Sequence, residues 1–313
     1  MPSYIPSLLL ALLLGFSVVA AAAPLQPRDA DFASVRTRLD RDRSGKKGDP
    51  PDKYFHESTF HPHYDGRFAD RELSYRERQA HLTALMQTYL STMNDIGAET
   101  WIMHGSLLGW WWNRKIMPWD SDIDVQMSER SMHYLADYYN MTIHHYKLPG
   151  LPDGRDYMLE VNPHYKNGSI ADHLNMIDAR WVDTETGLFI DITTLRRNAT
   201  AEAEGKKGSM MCKDDHHYYF DDVFPLRESV FENTPVKIPY AYSELLVEEY
   251  GEQALTDTSF ENHVFNQDRM EWIPIVEPPE PVLPPYYNSR GDSPAVKKPK
   301  LRMPPKISDL GSS

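Results

Sequence analysis

The stretch Pro118-Trp119-Asp120-Ser121-Asp122-Ile123-Asp124-Val125-Gln126-Met127 constrains this chain more than any other. Strand side chains alternate between faces, so a strand over 122–127 turns Ile123, Val125 and Met127 toward a core. Asp122 and Asp124 then leave together from the opposite face. Carboxylates held side by side repel each other and disfavour a strand unless a cation lies between them. A hard divalent cation with oxygen ligands, Mg²⁺ or Mn²⁺, meets that need and would bridge the phosphate oxygens of a nucleotide. A solvated strand edge or a structural calcium loop is the alternative. An EF-hand loop requires Gly at its sixth position and Glu at its twelfth, and neither is present here.

A third carboxylate occupies a similar setting. In Gly187-Leu188-Phe189-Ile190-Asp191-Ile192-Thr193, Asp191 is mid-strand among aliphatic neighbours, where a lone charge is costly. It is tolerable if it joins the same cation. The alternation predicts Leu188, Ile190 and Ile192 inward, with Asp191 opening into a cleft beside the Asp122–Met127 strand.

Composition narrows the chemistry. The 313 residues hold 33 Lys+Arg against 46 Asp+Glu, a net charge of −13, which argues against a duplex DNA or RNA partner. The single Cys212 excludes an internal disulfide framework and any CxxC-type zinc or redox site, so a metal must be held by oxygen or imidazole. With 41% hydrophobic and 12% aromatic residues, the chain can bury the core of one ordinary domain flanked by tails.

Residues 1–23 contain an apolar run, Ile5 to Ala23, ending in small residues before Pro24: a cleaved signal peptide, or an uncleaved signal anchor. The segment before the run lacks Lys and Arg. Both readings place the remainder in the secretory lumen or outside the cell, with membrane attachment only for an uncleaved anchor. Sequons at Asn140, Asn167 and Asn198 agree with that compartment. Residues 24–71 read as a polar linker. Residues 274–313 read as a Pro-rich basic tail with Lys297, Lys298, Lys300 and Arg302. Its Arg290-Gly291-Asp292 matches an adhesion tripeptide, a length that recurs by chance.

Between the tails, residues 72–273 form the expected folded unit. Ser74 and Glu77 make a capping box, and Leu82, Leu85, Met86, Tyr89, Leu90, Met93 and Ile96 follow helical spacing to Gly97. A strand over 100–104 leads into a helix through Gly105-Ser106. Ser128 caps another helix carrying Met132, Leu135, Ala136 and Tyr139, and 243–250 reads as helical. A hairpin joins 177–182 to 188–194 through Asp183-Thr184-Glu185-Thr186-Gly187. Intermixed helices and strands imply an α/β (α+β) class with a mixed sheet.

The string His104-Gly105-Ser106-Leu107-Leu108-Gly109-Trp110, followed by Pro118-Trp119-Asp120-Ser121-Asp122-Ile123-Asp124, resembles the LicD family. Ala179-Arg180-Trp181, Gly187 to Ile192, Phe224-Pro225-Leu226, Ile238-Pro239 and Glu249-Tyr250-Gly251 are similar too, so the likeness spans roughly residues 76–252. The two tryptophans after Trp110 and the leader look most like the fungal mannosylphosphate-transfer branch. The resemblance implies a nucleotidyltransferase-like core and a metal-dependent transferase moving a phosphorylated sugar, mannose-1-phosphate from GDP-mannose, onto a glycan or glycoprotein. It implies Asp122, Asp124 and Asp191 as metal-binding and catalytic, with Asp191 a ligand or a base toward the acceptor, and Asp120 as an auxiliary ligand. Gly105 and Ser106 would serve the donor. Arg180 and Lys115 or Arg114 suit donor phosphates, although single basic residues are often surface charges. His104 reads as an orienting group or a satisfied buried histidine. Trp110, Trp111 and Trp112 read as core or as a stacking platform, and Asp214-Asp215-His216-His217 as a surface loop. A non-catalytic partner of a separate mannosylphosphate transferase is the alternative function.

Overall fold

The computed structural model describes residues 42–148 and 151–276. The leader, the last 37 residues and the Arg290-Gly291-Asp292 tripeptide lie outside the described residues.

Helix α1, Tyr75–Ile96, starts at the expected capping box: Ser74 accepts from the Glu77 amide while the Glu77 carboxylate accepts from the Ser74 amide. It ends where Gly97 adopts a left-handed conformation, φ 72°. Leu82, Leu85, Met86, Tyr89, Leu90 and Met93 are buried along one side, while Ile96 is only partly covered. The chain then forms β1 (Thr100–Ile102), α2 (His104–Asn113), β2 (Asp124–Ser128) and α3 (Glu129–Tyr138). Ser128 caps α3 through the Ser131 amide.

Next come β3 (Thr142–Leu148), β4 (Leu151–Val161), β5 (Ala179–Asp183) and β6 (Phe189–Arg197). The main sheet runs β1-β2-β6-β5-β4-β3, with β7 (Ser209–Met211) and β8 (His217–Tyr219) continuing from β6. All pairs are antiparallel except β2 with β6, which is parallel, so the sheet is mixed as expected. The α/β class follows from this sheet and its helices. The β5–β6 hairpin turns at Asp183–Gly187, where the Asp183 carboxylate accepts from the Glu185 and Thr186 amides.

Two boundaries differ from expectation. The first strand stops at Ile102, because His104 adopts φ 52° and already belongs to α2. The strand bearing the carboxylates starts at Asp124, which leaves Asp122 in the preceding loop, so the alternation argument holds for Asp124 but not for Asp122.

The expected linker over 24–71 requires correction for residues 42–71, which pack as an irregular arm. Tyr64, Phe68 and Ala69 are buried, Tyr64 bridges to Leu188, and the Asp65 amide donates to the Gly187 carbonyl at 2.7 Å. Its polar composition hides scattered aromatic anchors, and burying each apolar ring favours docking.

Beyond the sheet, α4 (Ala199–Ala203) and α5 (Phe220–Val223) precede the β9–β10 hairpin (Arg227–Phe231, Thr234–Ile238) and α6 (Tyr242–Tyr250). A small sheet, β11 to β13 (Ser259–Phe260, His263–Asn266, Glu271–Pro274), closes the described region. Its Phe265 and Trp272 pack with Met117, Trp112 and Trp119. The tryptophan run is therefore packing, not an open stacking platform. Trp110 is buried with its indole N–H donating to Ser229 Oγ at 2.7 Å, and Trp112 donates to the Ala254 carbonyl at 3.0 Å. Among the described residues no helix is long and apolar enough to cross a membrane.

Candidate active site

Parallel pairing of β2 with β6 sets Asp124 directly beside Asp191. The Asp191 amide donates to the Ile123 carbonyl at 3.0 Å, which fixes the two strands at this point. Leu188, Ile190 and Ile192 are fully buried while Asp191 is partly open, the alternation expected of that strand. Val125 and Met127 likewise face the core.

The start of α2 closes one side. Ser106 Oγ accepts from the Asp124 amide at 3.2 Å, tying the helix to the first residue of β2. Gly105 lies beside Asp120, whose Oδ2 would be in ordinary contact, 3.4 Å, with a Cβ at that position. The loop before β2 thus carries Asp120 and Asp122 beside the strand pair.

These carboxyls perturb one another. Burial, then the charge of Asp122, pushes Asp120 well above the usual carboxylate range. Burial pushes Asp124 up as well, followed by the charges of Asp122, Asp191, Glu249 and Asp120. Asp191 is raised by burial despite the opposing pull of Arg180.

Arg180 alters the expectation for Asp191. On β5 it is the register partner of Asp191, and its Nε donates to Asp191 Oδ1 at 2.7 Å while Nη2 donates to Glu57 Oε1 at 3.0 Å. Its guanidinium also lies over the Phe189 ring at 3.8 Å. Glu160 on β4 is the next register partner, and Arg67 from the arm bonds to it. Asp124, Asp191, Arg180 and Glu160 therefore form a charged row across four strands. Asp191 has a cationic partner without any metal. Arg180 Nη1 is buried and makes no hydrogen bond. Lys115 is placed differently from expectation: half-exposed, it pairs with Glu271 at 3.1 Å.

The arm supplies residues that the linker assignment concealed. His63 stands at 2.7 Å from Ser121 Oγ through Nδ1 and at 3.5 Å from Asp122 Oδ2 through Nε2. Glu57 and Tyr54 reach Arg180 and Glu160. No periodicity marks these positions. The aromatic spacing of the arm was the one available signal.

A second group adjoins the carboxylates. His104 Nδ1 lies 2.9 and 3.0 Å from the two oxygens of Glu249, on α6. The 214–217 segment is not wholly the expected surface loop. Asp214 and His216 fold against His104, with ring centroids of the two histidines 4.3 Å apart, while Asp215 and His217 face outward. The reason is local: Asp215 takes φ 68° and the Cys212 amide bonds to the His216 carbonyl, so alternate residues share one side. A cavity of about 570 Å³ lined by Met93, Thr100, Ser131 and Lys237 lies at the Ser128 end of β2 and includes none of the predicted site residues.

A mixed α/β sheet that brings carboxylates from a loop and two parallel strands together beside a Gly-Ser helix start defines a nucleotidyltransferase-like domain. Residues 97–241 match the family described as LicD/FKTN/FKRP, nucleotidyltransferase domain. Two proteins of Saccharomyces cerevisiae are similar. Mannosyltransferase regulator 14 is 31% identical over 162 residues, covering 47% of this chain and 17% of its own length. Mannosyltransferase regulator 4 is 31% identical over 153 residues, covering 46% of this chain and 13% of its own length. The chain spans less than a fifth of the length of these curated relatives.

Proposed function

We propose that the protein is a metal-dependent transferase of the secretory pathway that moves mannose-1-phosphate from GDP-mannose onto a glycan or glycoprotein. The juxtaposition of Asp124 and Asp191 across the parallel pair, with Asp120 and Asp122 crowding the same point, carries this reading. Such a cluster is anionic beyond what its neighbours neutralise, and its donors are hard carboxylate oxygens, which fit Mg²⁺ or Mn²⁺. Asp122 and Asp124 would hold the ion, with Asp120 assisting. Bound there, the ion would offset charge on the donor's phosphate oxygens.

The chain's own groups do the rest. Ser106 fixes the backbone of Asp124, and Gly105 places the helix start beside Asp120. Arg180 orients Asp191 and retains a buried, unpartnered Nη1 suited to a phosphate oxygen. Asp191 would accept a proton from the acceptor hydroxyl, the position of its carboxylate being held by Arg180. A Golgi lumenal location follows from this reading and from the leader.

The names of the two yeast relatives favour a second reading, a regulator that assists a separate mannosyltransferase. Purified protein incubated with GDP-mannose, Mn²⁺ and a mannose-bearing acceptor separates the two. The transferase reading expects turnover that disappears in Asp124→Asn. Absence of turnover, combined with stimulation of a separate mannosyltransferase, would establish the regulator reading instead.

A further inference from the structure

The groups around His104 form a site of different chemistry from the carboxylates. His104 is 8% exposed. Its Nδ1 lies 2.9 and 3.0 Å from the two oxygens of the Glu249 carboxylate. Carboxylate oxygens accept, so Nδ1 of His104 is the donor in this bidentate contact. In the neutral imidazole Nε2 then presents its lone pair, and it is buried without a hydrogen-bond partner. An imidazole lone pair so placed is costly unless something binds it.

What faces Nε2 is a set of ligand groups. Asp214 Oδ2 lies 4.0 Å from His104 Nε2 and 3.0 Å from His216 Nδ1. His104, His216 and Glu249 each offer a ligand atom within 4.8 Å of the other two. Ligand atoms around a tetrahedral zinc, with bonds of about 2.0–2.1 Å, stand about 3.3–3.4 Å apart, a separation bracketed by the 3.0 and 4.0 Å from Asp214 Oδ2 to the two imidazoles. A histidine whose far nitrogen donates to a carboxylate while the near one binds a metal is the usual arrangement for a metal-ligating imidazole.

We propose that His104 Nε2, His216 and Asp214 form a transition-metal site of zinc type, with Glu249 orienting His104. Two imidazoles select such an ion over Mg²⁺ or Ca²⁺, which take oxygen ligands, so this site is separate from the Asp120–Asp124 cluster. The ion would tie the start of α2 to α6 and to the turn before β8, and so fix the helix end that carries Gly105 and Ser106. The proposal does not depend on the transferase reading.

The test is zinc binding by the full chain, stripped with chelator and followed by equilibrium dialysis with Zn²⁺ and by the absorption spectrum with Co²⁺. The expected result is one equivalent per chain and a tetrahedral cobalt spectrum. His216→Ala, at a partly exposed position that leaves no core cavity, should abolish both. Glu249→Gln should weaken binding about 10–100-fold. The Asp122→Asn/Asp124→Asn double variant, inactive under the transferase reading, should keep its zinc. Lack of stoichiometric zinc in the wild type, unchanged binding in His216→Ala, or loss of zinc in the double variant would each overturn the proposal.

Discussion

Replacing Gly187 with alanine tests whether the arm is part of the domain. Gly187 has φ 76°, a conformation costing an L-residue about 1–2 kcal/mol. The added methyl would also lie 2.6 Å from Ala69 Cβ, 2.6 Å from the Asp65 carbonyl oxygen and 2.8 Å from the Ala69 amide nitrogen. Two of these are backbone atoms that cannot rotate aside, so the arm must shift. Overpacking of this kind costs about 1–3 kcal/mol, which brings the expected loss to roughly 2–5 kcal/mol. Gly97 is the control. Its φ is 72° and a Cβ there meets nothing within 4 Å, so Gly97→Ala should lose only the conformational part, about 1–2 kcal/mol. Urea unfolding followed by tryptophan fluorescence gives both values, and limited proteolysis reports release of residues 42–71. Equal losses in the two variants, with the arm equally protected, would refute the docking of the arm on this turn.

Acid should destabilise the protein through His61. Burial, followed by the charges of His63 and Arg78, lowers its pKa from 6.5 to about 4, so it stays neutral in the folded state and accepts from the His63 amide at 3.1 Å. The unfolded state binds the proton more readily, so this stability is fully present above pH 6.5 and is lost as pH falls toward 4. The loss is up to about 3 kcal/mol, and His61→Gln should show a correspondingly smaller drop in melting temperature between pH 7 and pH 4.5. Glycosylation should depend on Asn167, which is exposed, and not on Asn198, which is buried and caps α4 through the Ala201 amide at 3.0 Å. Enzymatic deglycosylation of protein from a eukaryotic host should lower its apparent mass, and Asn167→Gln should remove most of that change.

What was legible in the sequence was what local rules encode. The Ser74–Glu77 box and the apolar spacing from Leu82 to Met93 define α1 because a helix repeats its environment every few residues. Alternation over Leu188–Ile192 placed Asp191 on the open face and beside the Asp124 strand, since a one-residue slip would bury the carboxylate. Contacts between distant, irregular segments carry no such period. His104 meets Glu249 across 145 positions, and His63 reaches Asp122 from a segment with no regular structure. Asp122 itself was misassigned to the strand because alternation cannot tell the last loop residues from the first strand residues.

The charged row gives the two central carboxylates different tasks. Counting inward from β4, Glu160 is met by Arg67, and Arg180 is shared between Asp191 and Glu57. Negative charge is therefore met directly by arginines at the β4 end and accumulates at the β2 end, where Asp120, Asp122 and Asp124 have, among the described residues, only the charge of Arg78 acting on Asp120 and His63 at 3.5 Å from Asp122. Under the transferase reading a divalent cation would bind where the imbalance lies. Asp124→Asn should accordingly weaken Mn²⁺ binding strongly, while Asp191→Asn should weaken it less. Asp191→Asn has a different cost, because it leaves the buried Arg180 with one anionic partner fewer, and removing one member of a buried pair costs about 3–5 kcal/mol. Asp124→Asn relieves repulsion and should leave the metal-free protein as stable or more so. Calorimetric Mn²⁺ titration and denaturation of both variants separate these effects. The opposite ranking, with Asp191→Asn losing the metal at unchanged stability, would make Asp191 a principal ligand and Arg180 its incidental neighbour.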